Sequence, residues 1–314
     1  MSVLSSPYFH DDEAAFAKLE SVIWPEGPIC PHCGGIDKIY ALKANPEKRI
    51  RIGLKKCGQC SKQFTVKVGT VFEHGRVPLH KFLQAVYLMC SSKKGCSAKQ
   101  LERTLEVTYK TAWFMSHRIR EAMRSGDLAS FGGGGSAVEV DETFIGREPG
   151  KQKRPGFHHK MKVLTLADRE TKKARSVVVD DLRPVTLAPI LNENISKDAR
   201  LMTDEAHLYK RLGKKFATHE SVNHSRDEYA RGDVTTNTVE GYFSVFKRGM
   251  KGVYQHCAKK HLHRYLAEFD FRYNEREVKG IDDRQRTDNA LRGIVGKRLT
   301  YETTETQGVA IGRC

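Results

Sequence analysis

Four of the eight cysteines form two C-x-x-C pairs, Cys30 with Cys33 and Cys57 with Cys60. Each pair places two thiolates on one tight turn, and two such turns facing each other complete a tetrahedral Zn²⁺ site. The alternative, two disulfides in a secreted protein, is disfavoured because the N-terminal residues are acidic and contain no apolar signal region. The spacing therefore predicts one structural zinc ion, which would stabilise a module too small to fold on burial alone.

Three acidic residues later in the chain, Asp141, Asp204 and Glu240, are candidates to hold divalent ions. The pattern places Asp141 in a strand, Asp204 at the carboxyl end of another strand, and Glu240 in a helix. Three carboxylates at one sheet edge can hold two Mg²⁺ or Mn²⁺ ions. One ion would activate an attacking hydroxyl and the other would stabilise the leaving oxygen of a phosphoryl transfer.

The helix that carries Glu240 strengthens this hypothesis. At 100° per residue its acidic and basic side chains share one face, while Tyr242, Val245 and Phe246 fall on the other. The polar face consists of Glu240, Ser244, Lys247 and Lys251. The apolar face is expected to anchor on a sheet, so the polar face would present an acid and two amines to a phosphate backbone. A solvated, salt-bridged face is the alternative.

The elements that would position these acids alternate between strands and helices. Apolar alternation predicts strands near 137–145, 161–167, 174–180, 199–203 and 215–219, with helices at 184–191, 206–212, 236–250 and 259–273. This order predicts an α/β fold, a ribonuclease-H-like mixed sheet flanked by helices. Four consecutive glycines at 132–135 predict a linker in front of it.

A helix-turn-helix is predicted before the linker. Ser97 and Thr108 are suited to cap two successive helices, and Val107 would fill the turn between them. The second helix has an apolar stripe on one side, and its other side could enter a major groove. A plain three-helix bundle has similar periodicity and is the alternative. The DNA contacts expected here and in the helix of Glu240 are Lys99, Lys110, Phe114, His117, Arg118, Arg248 and Lys251.

The charge distribution agrees with a DNA-binding front region. The 314 residues contain 54 Lys and Arg against 38 Asp and Glu, a net charge of +16. Residues 30–70 hold nine bases and two acids, and residues 93–124 hold eight bases and three acids. Such an excess favours a polyanionic partner, nucleic acid before anionic lipid. The sequence contains no apolar run of about 18 residues, so a membrane span is not expected.

Together these segments resemble the transposases of small bacterial insertion sequences that join a zinc ribbon and a helix-turn-helix to a DDE catalytic domain. The resemblance covers about residues 28–275 and rests on the motifs CPHC with CGQCSKQFTVKVGTVFE, KKGCSAKQLERTLEVTYKTAWFMSHRIREAM, VEVDETFIGRE, LMTDEAH and the segment from NHSRDEYARGD to RYNER. It implies a metal-dependent enzyme whose catalytic triad is Asp141, Asp204 and Glu240, with Lys247 as a basic helper. The activity implied is cleavage at element ends followed by attack of the 3′-hydroxyl on target DNA.

The expected domains are an N-terminal segment (1–27), a zinc ribbon (28–74), a helix-turn-helix module (75–126), a glycine-rich linker (127–136), the catalytic domain (137–256) and a C-terminal helix with tail (257–314). Expected partners are double-stranded DNA and further copies of the chain, at least a dimer, and the expected location is the bacterial cytoplasm, at the nucleoid. Two alternatives remain open: a transposase-derived DNA-binding regulator, and a ribonuclease-H-like nuclease without strand transfer.

Overall fold

The structure, a computed structural model, describes residues 2–126, 129–223, 228 and 230–300. It divides the chain into two compact units, one of residues 1–124 with 276–314 and the other of residues 125–275. No helix in the described ranges is both long and apolar enough to cross a membrane. Cys314, a cysteine outside the two C-x-x-C pairs, lies outside these ranges.

The first unit begins with helix α1 (Asp12–Ile23) and a small antiparallel sheet of β1 (Ile39–Ala41), β2 (Lys55–Cys57) and β3 (Gln63–Phe64). Three helices follow, α2 (Leu79–Ser91), α3 (Ala98–Leu105) and α4 (Tyr109–Met123). The predicted caps of α3 and α4 are confirmed, because the Ser97 hydroxyl accepts from the Gln100 amide and the Thr108 hydroxyl accepts from the Thr111 amide.

A last helix of the first unit, α9 (Asp283–Arg292), comes from the far end of the chain. It begins with a capping box formed by Asp282 and Gln285, and it packs on α1, α2 and α4. Its Arg286 donates to the carbonyl of Cys90, and Asp288 accepts from Lys18 at 2.8 Å. The segment 257–314, predicted to be one C-terminal helix with a tail, is therefore divided between the two units. Its helix α9 packs in the helical core of the first unit.

The second unit is built on a five-stranded sheet in the order β6-β5-β4-β7-β8. Its strands are β4 (Ala137–Ile145), β5 (Met161–Asp168), β6 (Lys173–Val179), β7 (Arg200–Thr203) and β8 (Thr218–Ser221). β4, β5 and β6 form an antiparallel meander, whereas β7 pairs parallel to β4 and β8 parallel to β7. The predicted ribonuclease-H-like mixed sheet is confirmed.

Helices cover both faces of this sheet, because its strands alternate two apolar sets of side chains. One face packs on α5 (Pro184–Asn194) and α6 (Tyr209–Leu212), with Val138 and Val140 in the shared core. The other packs on α7 (Asn237–Gly249) and α8 (Lys259–Asn274), with Ile145 and Val163 in the core. A short hairpin of β9 (Ala230–Arg231) and β10 (Val234–Thr235) precedes α7, and a π-helical segment (Met250–Tyr254) follows it.

Two predicted domain limits differ from this architecture. α8 was expected outside the catalytic domain, but its Phe269 packs in the core beneath α7 and its Asp270 accepts from the amide of Ser176. The glycine segment was expected to be a linker. Instead Phe131 is buried in the core, and the Gly132 amide donates to Asp168. Gly132 has φ +78°, and a Cβ there would lie 2.2 Å from Ala199 Cβ, so the glycine permits this close packing.

Candidate functional site

The four predicted zinc ligands converge in the first unit. Their sulfur atoms all lie within 4.8 Å of one another, with Cys30 Sγ to Cys60 Sγ and Cys33 Sγ to Cys57 Sγ both at 3.7 Å. Zn–S bonds of about 2.3 Å in a tetrahedron require sulfurs about 3.8 Å apart, so the four thiolates fit one zinc ion. Cys30 and Cys57 are buried beside Phe64, and this is a small core that needs a metal for its stability.

The three predicted acids come together at one edge of the large sheet. β4 and β7 pair in register from Ala137 with Arg200 to Glu139 with Met202, so Asp141 and Asp204 follow at equivalent positions beyond the last pair. Glu240 enters from the first turn of α7. They line one open pocket of about 360 Å³ together with Glu142, Phe243, Ser244 and Lys247.

The electrostatics of this pocket fit a cation. Burial, together with the negative charges of Asp204 and Glu240, raises the pKa of Asp141 to about 7, although the Glu142 amide donates to its carboxylate at 2.7 Å. Lys247 acts in the opposite direction and favours the charged form of Asp141. Carboxylates in one partly buried site repel each other when they are ionised, and a divalent cation bound to their oxygens would relieve that repulsion.

Glu142 is a fourth acid in the pocket, to which the sequence reasoning gave no role. Burial, followed by the charges of Asp141 and Asp204, raises its pKa to about 7, and the hydroxyl of Tyr209 donates to its carboxylate. Tyr209 is fully buried on α6, in the segment that follows Asp204. This bond therefore ties β4 to the chain beyond Asp204 where the β4–β7 ladder has ended.

Glu139, two residues before Asp141, was also missed, although a Glu in the middle of an apolar strand is an available signal. Its side chain is fully buried and accepts four hydrogen bonds. The donors are Arg169 Nε at 2.6 Å, the Thr238 amide and hydroxyl at 2.8 Å, and the Val239 amide at 3.0 Å. Thr238 and Val239 lie in the first turn of α7, so a carboxylate of β4 caps the helix that carries Glu240.

Further hydrogen bonds hold the segment that precedes α7 and the carboxylate of Glu240. Arg169 also donates to the carbonyls of Asp233 and Thr235, just ahead of α7. The buried hydroxyl of Thr236 donates to Glu240 Oε1 at 2.8 Å, and this bond orients the third carboxylate. The predicted faces of α7 are observed in part. On the apolar face Tyr242 and Phe246 are buried and Val245 is half-buried; on the polar face Glu240, Ser244 and the following Lys251 are exposed and Lys247 is half-buried.

The predicted DNA-binding face of α4 is only partly exposed. Lys110 is exposed and Phe114 is half-buried, but His117 has no exposed surface and Arg118 only 8%. The prediction that His117 and Arg118 contact DNA is wrong, because α4 is enclosed by α2, α3 and α9, and α9 was not anticipated. The His117 ring packs against Trp113, and the Arg118 guanidinium lies 4.8 Å from the Phe114 ring.

What stays exposed is the start of α4 and the neighbouring part of α3. Tyr109 is 46% exposed, and Lys99 Nζ lies 5.0 Å from its ring centroid while forming an ion pair with Glu102. The first turn of the second helix is the part of a helix-turn-helix that reaches base edges. The exposed candidates in this module are therefore Lys99, Tyr109 and Lys110.

Comparison with known proteins gives two family matches. Residues 133–274 match the ISXO2-like transposase domain, and residues 10–63 match a transposase zinc-ribbon domain. A Halobacterium salinarum protein described as an uncharacterized protein in transposable element ISH50 is 28% identical over 286 residues, covering 84% of this chain and 91% of its own. An uncharacterized transposase-like protein of Haemophilus influenzae is 29% identical over 107 residues, 34% of this chain and 85% of its own.

Among solved structures, a cryo-EM structure of a simian T-cell lymphotropic virus intasome in complex with PP2A regulatory subunit B56 gamma aligns with a TM-score of 0.29 at 11% identity. That alignment covers 60% of this chain and 65% of the other, and a score this low supports no conclusion. The family matches coincide with the two metal-type sites, since one spans the four cysteines and the other spans Asp141, Asp204 and Glu240. The chain therefore carries a transposase zinc-ribbon domain and an ISXO2-like transposase domain, and in both it resembles the insertion-sequence transposases.

Proposed function

We propose that this transposase cuts DNA at the ends of its element and joins the released 3′-hydroxyl to target DNA, both at the pocket of Asp141, Asp204 and Glu240. The observation that carries the proposal is the convergence of these three acids with Lys247 in one open pocket of the DDE domain. Both steps are phosphoryl transfers. The phosphodiester that is broken carries the energy for the one that is made, so no cofactor besides metal is needed.

Asp141, Asp204 and Glu240 would hold two divalent ions, Mg²⁺ or Mn²⁺. When bound, such ions activate the attacking hydroxyl and stabilise the leaving oxygen. Lys247 would contact a phosphate oxygen and favour the developing negative charge. Thr236 orients Glu240 through its hydroxyl, and the Glu142 amide orients Asp141.

DNA recognition is assigned to the first unit, with the zinc ribbon and the start of α4 as the reading elements. The exposed side chains Lys99, Tyr109 and Lys110 support this assignment. Arg248 is exposed on α7, and Lys251 is exposed in the π-helical segment that follows it. Both are proposed to contact the phosphate backbone of DNA near the catalytic pocket. Because two element ends must meet in one complex, we expect the active form to be a homo-oligomer, at least a dimer.

The test uses a duplex carrying the terminal inverted repeat that borders the coding sequence, identified as a repeat bounded by short direct duplications. Asp141→Ala, Asp204→Ala and Glu240→Ala are each expected to abolish cleavage and strand transfer in Mg²⁺ while sparing binding of the duplex. Lys247→Ala should reduce the rates by about tenfold to thousandfold, the range for losing one electrostatic stabiliser. Glu170→Ala, an exposed acid in the turn between β5 and β6, is the matched control and should keep full activity.

The alternatives predict other outcomes. A DNA-binding regulator would bind the repeat without cutting it in Mg²⁺ or Mn²⁺. A nuclease without strand transfer would cut DNA regardless of the repeat and would form no joined product. Full strand transfer by Asp204→Ala would show that the catalytic assignment is wrong.

A further inference from the structure

The connection between β4 and β5 is unusually long and basic. Residues 146–160, here called the basic hairpin loop, join two strands that end at Ile145 and resume at Met161. Antiparallel strands need a connection of only about two to five residues, and loops longer than about 12 residues are usually functional. The loop holds one Glu against five bases: Arg147, Lys151, Lys153, Arg154 and Lys160.

The base of the loop is held on the sheet by specific contacts. Phe157 stacks on Phe144 of β4, with ring centroids 4.6 Å apart and planes 13° from parallel. The Glu148 amide donates to the His159 carbonyl at 2.8 Å. The carboxylate of Glu148, itself only 4% exposed, pairs with Lys151 in the loop and with Lys259 at the start of α8. These contacts with β4 and α8 therefore hold the loop as a structured extension of the hairpin.

The tip keeps uncompensated positive charge. Lys153, Arg154 and His158 are all exposed, and neither Lys153 nor Arg154 has an ion-pair partner in the part of the chain that the structure describes. Phe157 is 53% exposed beside them, with Lys160 Nζ 5.0 Å from its ring centroid. A cationic surface interleaved with an aromatic ring is the composition of a nucleic-acid contact.

The topology places the loop beyond the end of the sheet at which the catalytic pocket lies. The β4–β7 ladder ends at Glu139 and Met202, whereas β4 and β5 stay paired as far as Ile145 and Met161. The hairpin thus projects past the sheet edge at which Asp141 and Asp204 lie. The end of β4 at Ile145 lies four residue steps beyond Asp141, about 13 Å along the strand. That distance corresponds to about four base pairs of duplex at about 3.4 Å per step.

We infer that the basic hairpin loop binds the phosphate backbone of duplex DNA flanking the phosphodiester held in the catalytic pocket. The inference rests on the proposed function, because that function puts DNA in the pocket. Lys153 and Arg154 are the phosphate contacts, and Phe157 supports them from the hairpin.

The first experiment measures binding of the full zinc-loaded chain to a fluorescent 30-bp duplex of random sequence, without divalent cation, over a series of salt concentrations. The double variant Lys153→Ala with Arg154→Ala should bind about tenfold more weakly near 0.1 M salt, and the salt slope should fall by about 2 if both residues contact phosphates. The control, Lys214→Ala with Lys215→Ala, removes the same charge from exposed positions just before the amino end of β8 and should change affinity less than twofold. Equal losses in both variants, or no loss in either, would overturn the inference.

A second readout is local to the loop. The full chain with p-benzoylphenylalanine in place of Phe157 should crosslink to the duplex under light, whereas the same group in place of Lys214 should not. If this chain binds and cuts DNA but shows no crosslink at position 157, the proposed loop contact is wrong and the catalytic proposal is unaffected.

The two proposals fail separately. With metal present and DNA saturating, the loop double variant should keep its maximal cleavage rate and lose apparent affinity, whereas Asp141→Ala should lose cleavage and keep the crosslink at 157. Cleavage that survives in Asp141→Ala would refute the catalytic proposal and leave the loop contact standing.

Discussion

The four-cysteine site and the three-carboxylate site are built in opposite ways. The cysteines lie between positions 30 and 60 on two short turns, and the small core around them holds Cys30, Cys57 and Phe64. The acids lie between positions 141 and 240 on two strands of a sheet and one helix. The first site needs its ion in order to fold, since local turns supply every ligand and burial supplies little stability. The second is held in place by the fold before any ion binds.

Glu139 shows how the fold holds the second site. A single buried carboxylate on β4 caps α7 and pairs with Arg169, so the strand of Asp141 and the helix of Glu240 are joined through it. The two cysteine turns are joined by the pairing of β1 with β2 and by the Gly58 amide, which donates to the Lys38 carbonyl, and a zinc ion would add the bridge between the four thiolates. The proposed metals would thus be a structural centre in one unit and a reagent in the other.

The largest effect should come from breaking the first site alone. Cys57→Ser removes a buried thiolate, so the chain should lose its zinc and with it the binding energy of about 10 kcal/mol or more that folds such modules. Zinc content and proteolysis should show an unfolded ribbon and an intact second unit. A Cys90→Ser variant, which changes a cysteine outside the four-thiolate set, should keep its zinc. Purified wild-type protein without bound zinc would contradict the assignment.

The reciprocal change is Glu139→Ala. It leaves the Arg169 guanidinium facing a buried site without its carboxylate and uncaps α7, so the second unit should lose about 3–5 kcal/mol of unfolding free energy. Denaturant unfolding measures the loss, and zinc content should stay at one ion per chain. Glu139→Gln, which keeps an acceptor for the α7 amides, should lose clearly less. Equal losses in the two variants would show that the capping role is wrong.

A smaller effect concerns pH and lies within the second unit. Burial raises the pKa of Asp270 to about 6, although Tyr242, Ser176 and the charge of Arg175 all favour its ionised form. Because the folded pKa exceeds the unfolded value of about 3.9, the native state holds this proton more tightly, and unfolding free energy should fall by up to about 3 kcal/mol as pH rises from 4 to 6. Asp270→Asn should flatten this slope in unfolding titrations, whatever it does to stability at pH 7. An unchanged slope would show that other groups cause it.

The smallest expected effect tests the tie between the two strands of the catalytic site. Tyr209→Phe removes the hydroxyl that donates to Glu142 and leaves the ring packed, so stability should fall by about 1 kcal/mol. Because this bond ties β4 to the chain beyond Asp204, its loss should also loosen the spacing of Asp141 and Asp204, and calorimetry should then show weaker Mn²⁺ binding. Tyr265→Phe, a ring of the α8 core in the same unit, is the control for loss of a hydroxyl. A stability loss without any change in Mn²⁺ affinity would limit Tyr209 to packing.

Sequence reasoning was most accurate where the governing interactions are local. The helix caps at Ser97 and Thr108, the succession of strands and helices in the second unit and the convergence of the four cysteines were all predicted from short patterns and are all observed. It was least accurate where a partner comes from a distant segment. Helical periodicity places His117 and Arg118 on the face of α4 that was expected to contact DNA. However, α9, formed by residues 283–292, packs against α4 and helps to bury it.

The sequence by itself determined which residues can bind metal: two C-x-x-C turns whose geometry is set within a few residues, and acids placed by strand and helix periods. Only the tertiary structure decided which side chains support those ligands. Glu139 reaches α7, Glu142 reaches Tyr209, and α8 and α9 go to different units despite being neighbours in the chain. The reason is physical, since a period of 2 or 3.6 residues fixes which face a side chain is on, whereas burial against remote segments decides what that face meets.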